Sequence, residues 1–159
     1  NPEAQVECRQ IFYAPDTANQ FDMANFTYVV DAIDSVSGKL ALVQQAQAAG
    51  TPIISSMGAG NKLNPMAFQV ADIYATSVCP LARVMRSKLR KLGVDKLKVV
   101  YSTEEPVQPK LTDAQANVKL PPGSVAFVPS AAGLLLAAEV VKDIIRQAVA
   151  TEVKIDSEY

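Results

Sequence analysis

The chain has no histidine, no Cys-x-x-Cys pair and only two cysteines, Cys8 and Cys79, among its 159 residues. Structural zinc sites are built from cysteine and histidine, so the sequence predicts no zinc site of its own. Two cysteines this far apart do not form a disulfide framework, and they point to a reducing, cytoplasmic setting. No Gly-x-x-x-x-Gly-Lys-Ser/Thr phosphate loop occurs. No Gly-x-Gly-x-x-Gly occurs either, which argues against an ordinary dinucleotide-binding oxidoreductase domain. Internal repeats and low-complexity tracts are also missing. The opening Asn1, Pro2, Glu3, Ala4 carries no charged-then-apolar leader. It also begins without methionine, the expected mark of a processed or truncated chain. Residues 125–150 are apolar but contain Pro129, Glu139, Lys142, Asp143 and Arg146. A buried core helix is expected there rather than a membrane span.

What remains is an ordinary globular composition, 49% hydrophobic and 19% charged, with a net charge of -1. That fits one domain. The charge balance neither demands nor excludes a nucleic acid, so any basic patch must be local.

Strand and helix patterns alternate, which predicts an α/β fold. Residues 6–13 read as a short strand. Residues 28–33 form a compact β-branched run that reads as a buried strand ending at Asp34 and Ser35. A helix is expected over 36–49, with Val36, Leu40, Val43 and Ala46 or Gln47 on one face and Gly50 as its stop. Residues 52–56 give the next strand, completing a parallel βαβ crossover. Residues 68–73 alternate as a strand, a helix runs from Pro80 to about Leu92, and 98–102 is another strand. Residues 104–123 hold four of the ten prolines and read as a loop or lid. Residues 123–128 suggest a last short strand. Ser130 is placed to cap a helix running to about Ala150, followed by a charged tail that frays from 151.

Four constellations could carry chemistry. Asp34 and Ser35 lie just past the carboxyl end of a parallel strand, where open α/β sheets bind ligands. A carboxylate there can hold Mg2+ on a triphosphate, and it can equally cap the following helix. Gly58, Ala59 and Gly60 leave the neighbouring strand toward the same crevice, as a ligand loop or a plain turn. Arg83, Arg86 and Arg90 share one helix face within a run rich in lysine and arginine. That stripe suits an RNA backbone or a phosphate, and it also suits a solvated face. Cys79 precedes Pro80. A nucleophilic role would need a lowered pKa, whereas a lone buried cysteine needs nothing.

At this point the residues resemble a known family. Residues 29–35 with Lys39, the loop Ser56 to Pro65, Pro80-Leu81-Ala82-Arg83 with Arg86, residues 99–106, and Pro122 to Gly133 followed by 139–142 are similar, in order, to motifs of the ThiF/MoeB/HesA adenylating enzymes. The Asp31-Ala32-Ile33-Asp34-Ser35 and Gly123-to-Ser130 forms resemble the subgroup of tRNA threonylcarbamoyladenosine dehydratases. The resemblance implies the C-terminal portion of a Rossmann-like fold with a mixed sheet and a long C-terminal helix. It implies ATP and Mg2+ as cofactors and tRNA as substrate. In that reaction ATP adenylates the threonyl carboxylate, which then closes a cyclic ester with loss of AMP. By resemblance Asp34 contacts ATP and Mg2+, with Ser35 beside it and Lys39, Gly58, Ala59 and Gly60 lining the site. Arg83, Arg86 and Arg90 take the RNA or phosphate. A homodimer and sulfur-transfer partners are also implied. Cys79 departs from the family, where an acidic residue is common. The family's phosphate loop, ribose-binding acid and basic ATP contacts precede the point where this chain begins, so the chain alone is expected to lack half the site. Two alternatives follow from the same resemblance: activation of a ubiquitin-like sulfur carrier, and a non-catalytic dimerising fragment.

Overall fold

The computed structural model describes the backbone of residues 1–108 and 121–156, with side chains through Ala150. Four strands form one mixed sheet: β1 (Val29–Asp31), β2 (Ile53–Ser56), β3 (Phe68–Asp72) and β4 (Lys98–Ser102). Their order is β1-β2-β4-β3. β1, β2 and β4 run parallel, with Asp31 opposite Ser55 and Ser56 opposite Val100, while β3 is antiparallel to β4. Three α-helices cover the sheet: α1 (Val36–Ala48), α2 (Pro80–Lys91) and α3 (Phe127–Asp156).

Strand alternation assigns the faces. Val99 and Tyr101 join Val43 of α1 and Ala82, Met85 and Leu89 of α2 in the main core. Val100 and Ile54 point the other way and pack against Ala132 and Leu136 of α3. Each of the larger of these side chains, fully buried, contributes on the order of 1.5–3 kcal/mol of hydrophobic stabilisation. Met23, Val29, Leu42 and Ala46 close a third cluster over β1.

Three expectations from the sequence fail. Residues 6–13 form no strand, because no sheet edge receives them; Val6 and Phe12 are exposed. Tyr13 donates its hydroxyl to Gln45 and packs beside Phe21, while Arg9 donates to the Gln20 carbonyl at 3.3 Å and lies over the Phe21 ring. Residues 123–128 form no strand either. Pro129 lies in the first turn of α3, which tolerates its missing N–H. The helix therefore begins at Phe127, and Ser130 does not cap it but donates to the Ala126 carbonyl at 2.7 Å. Finally, α3 is not a buried core helix. It packs along one side and leaves Leu134, Val141, Ile145 and Val149 exposed. Among the described residues no helix is long and apolar enough to cross a membrane. The backbone of α3 stays helical to Asp156, past the expected start of the tail. Most of the proline-rich segment expected as a loop or lid lies outside the described residues.

Candidate nucleotide crevice

The site is built at the carboxyl ends of β1 and β2. Asp31 closes β1, and its Oδ1 accepts the Ile33 amide at 3.2 Å, which ends the strand two residues sooner than the β-branched run implies. The turn brings Asp34 to the surface. The helix that follows is capped by its neighbour: Ser35 Oγ accepts from the Gly38 amide at 3.3 Å. Capping is therefore done without Asp34. Among the described residues the Asp34 carboxylate makes no hydrogen bond or ion pair. Gly38 is required beside it, since a Cβ there would stand 2.5 Å from the Tyr13 carbonyl oxygen.

Lys39 lies beneath this mouth rather than in it. It is 1% exposed and donates to Asp31 Oδ2 at 2.9 Å, to the Ser56 carbonyl at 2.7 Å and to Ser55 Oγ at 3.5 Å. Ser55 also donates to the same Asp31 oxygen. Burial pulls the Lys39 ammonium below the ordinary lysine range, while Asp31 and the more distant Asp34 pull it back up. All three N–H directions are occupied by protein, so Lys39 has none left for a phosphate.

The glycine loop leaves β2 after Met57, whose amide extends the ladder to the Val100 carbonyl at 2.8 Å. Gly58 packs beside Leu81 and Cys79 at the start of α2. Ala59 is half-buried in the same turn. Gly60 serves packing: a Cβ there would meet Pro122 at 2.6 Å. Next to it, Lys62 is buried and donates to the Glu104 carbonyl, and the Glu104 carboxylate accepts the Leu63 and Asn64 amides at 3.0 Å. Those backbone bonds hold the Glu104 carboxyl below the usual range.

The arginine stripe divides. Arg86 donates to the Thr76 carbonyl at 2.9 Å and to its hydroxyl. Arg90 stacks over the Tyr74 ring at 5.1 Å. Arg83 is exposed and, among the described residues, unpaired. Together with Ser87 and Lys91 these arginines line a shallow depression of about 430 Å³. Cys79 is 1% exposed inside the main core, which favours the structural reading of that thiol.

An opening of about 860 Å³ lies at the opposite end of the sheet, by Tyr28, Thr51, Lys96, Lys98 and Asp143. Those are the amino ends of the parallel strands, away from where such sheets bind ligands. There Lys98 bridges Glu139 at 2.7 Å and Asp143 at 2.9 Å, and Tyr28 donates to Asp143 at 2.7 Å.

Sequence reasoning passes over Asp31 and Ser55 as site residues. The signal is available: an aspartate inside an apolar, buried strand needs a cation within reach. Among the described residues no group of three or more Cys, Asp or Glu side chains is arranged to hold a metal ion. A lone carboxylate such as Asp34 fits Mg2+ only when substrate phosphates and water supply the other oxygens.

An exposed carboxylate and a capped helix start stand together at the carboxyl ends of parallel strands, where proteins of the open α/β class bind their ligands. The ThiF family pattern matches residues 1–157, and the chain belongs to the ThiF family. It is 40% identical over 156 residues to the tRNA threonylcarbamoyladenosine dehydratase of Bacillus subtilis, covering 92% of this chain and 61% of that protein. Against the Escherichia coli dehydratase it is 36% identical over 121 residues, covering 69% of this chain and 44% of that protein. The solved structure of the Escherichia coli enzyme, TcdA, in complex with ATP superposes with a TM-score of 0.81 at 30% identity, over 94% of this chain and 60% of that one. The fold is thus the mixed-sheet, Rossmann-like fold of TcdA. The chain spans about three fifths of the length of the Bacillus subtilis protein and of the TcdA structure.

Proposed function

We propose that this chain forms one wall of the nucleotide crevice of an ATP-dependent tRNA threonylcarbamoyladenosine dehydratase. The carrying observation is Asp34: an exposed carboxylate at the strand end, relieved of capping by Ser35 and, among the described residues, left without a hydrogen-bond partner. The names of its relatives support tRNA as the substrate over a sulfur-carrier protein.

In this reading Asp34 would help to hold Mg2+, and the amides at the start of α1 would face the phosphates of the nucleotide. The ion's contribution is charge neutralisation of the phosphates. The threonyl carboxylate of the modified adenosine attacks the α-phosphate, and pyrophosphate leaves. The activated carbonyl is then attacked from within the same side chain, closing the cyclic ester and releasing AMP. High effective molarity favours that closure, so no enzyme thiol is needed, in keeping with the buried Cys79. Arg83 and the depression beside it meet the RNA backbone. A second copy of the chain is part of this reading, supported by the exposed apolar row on α3.

The described residues supply only part of the site. The lysines nearest the strand exits, Lys39 and Lys62, are both bonded to protein acceptors. Calorimetry of the 159-residue chain with MgATP is expected to show no micromolar binding. In the whole polypeptide that carries it, Asp34→Asn is expected to abolish tRNA-dependent AMP release. Full AMP release by that variant would refute the proposal.

A further inference from the structure

The reaction scheme makes no use of one buried group, Lys39, Asp31 and Ser55, exposed by 1%, 0% and 0%. A buried ion pair of this kind rarely stabilises a fold more than an apolar pair of the same size would. Its position is informative. Asp31 is the last residue of β1, and Ser56 is the last residue of β2. Lys39 grips both exits at once, through the Asp31 carboxylate at 2.9 Å and the Ser56 carbonyl at 2.7 Å. The second Asp31 oxygen holds the Ile33 amide at 3.2 Å, inside the turn that presents Asp34. Ser55, opposite Asp31 in the ladder, closes the group by donating to the carboxylate.

We propose that Lys39 and Asp31 are a positioning pair: they lock the β1 exit, which carries Asp34, against the β2 exit, which carries the glycine loop. Neither touches ligand. The pair's value for catalysis rests on the nucleotide reading above, but its geometry can be tested without nucleotide.

The test is amide hydrogen exchange by NMR on the 159-residue chain, comparing wild type with Lys39→Met and with Lys39→Met/Asp31→Val. The single variant leaves a buried carboxylate unpaired and is expected to unfold readily. The double variant replaces the pair by apolar atoms and is expected to melt near wild type. In it the Ile33 and Met57 amides are expected to exchange about tenfold faster, while amides of β4 and central α1 keep their protection. In wild type at neutral pH, the Lys39 ammonium is expected to give a sharp proton–nitrogen signal, as an immobilised group does. Unchanged exchange at both exits, an equal rise across the whole sheet, or a missing ammonium signal would each overturn the proposal. A crevice that bound no ATP would leave all these readouts untouched, so the two ideas fail separately.

Discussion

Asn61 and Gly123 are joined by a reciprocal pair of hydrogen bonds: the Asn61 amide donates to the Gly123 carbonyl at 2.8 Å, and the Gly123 amide donates to Asn61 Oδ1 at 2.7 Å. Asn61 sits at φ 56°, a left-handed conformation that asparagine tolerates better than most residues. Its carbonyl also accepts the Val107 amide at 2.7 Å. One residue thus fastens both flanks of the proline-rich segment to the loop after β2. Asn61→Ala removes the side-chain acceptor and adds left-handed strain, at an expected cost of about 2 kcal/mol. Asn61→Gly loses the acceptor alone and is expected to cost about half as much. Thermal unfolding of the two variants measures the difference.

Asp34 gives the opposite pattern. It is exposed and has no hydrogen-bond partner among the described residues, so Asp34→Asn is expected to change stability by less than about 0.5 kcal/mol. Its effect is expected in AMP release by the whole enzyme. A melting curve and a turnover assay on the same variant separate the two.

Arg83 and Arg86 lie on one helix face but differ in prediction. Arg86→Ala breaks the bonds to Thr76 and is expected to destabilise the fold by about 1–2 kcal/mol. Arg83→Ala breaks no hydrogen bond or ion pair among the described residues. Its melting temperature should hold while KM for tRNA rises and the salt dependence of tRNA binding flattens.

The seam between β4 and α3 predicts an acid transition. Bonds from Lys142 and Lys98 hold the Glu139 carboxyl below its ordinary value. Burial raises Asp143, but bonds from Lys98 and Tyr28 outweigh it and leave that carboxyl lowered too. Depressed carboxyls stabilise the fold above their unfolded pKa values and cease to do so as pH falls through the folded ones. Stability should therefore decline from about pH 5 downward. Melting temperatures between neutral and acid pH test this, and Lys98→Met should flatten the acid limb.

The strands and helices are legible where one period rules. The run Lys98–Ser102 centres on Val99, Val100 and Tyr101, residues that favour strands, and it is a strand over that span. Pro80 at a helix start and Gly93 past its end bracket α2 closely. What sequence does not give is pairing. Residues 6–13 have strand-like character, but a strand needs a partner, and this stretch pairs with none of the four strands. The site shows the same limit. Position after a strand puts Asp34 at the mouth, but whether it caps the helix depends on rotamers, and Ser35 is the residue that does so. Lys39 is expected to line the site by resemblance to the family's motif after the strand. Only the folded chain shows its ammonium turned inward to Asp31.

The span of α3 against the sheet has a mechanical consequence. At about 1.5 Å per residue, its 30 residues extend roughly 45 Å, whereas a five-residue strand reaches only about 17 Å. Its contacts with the sheet side run from Val128 to Asp143, so the turns beyond Asp143 overhang the platform like a cantilever. Far-ultraviolet dichroism should find that overhang partly melted in the isolated chain, and rewound once a neighbouring surface bears its weight.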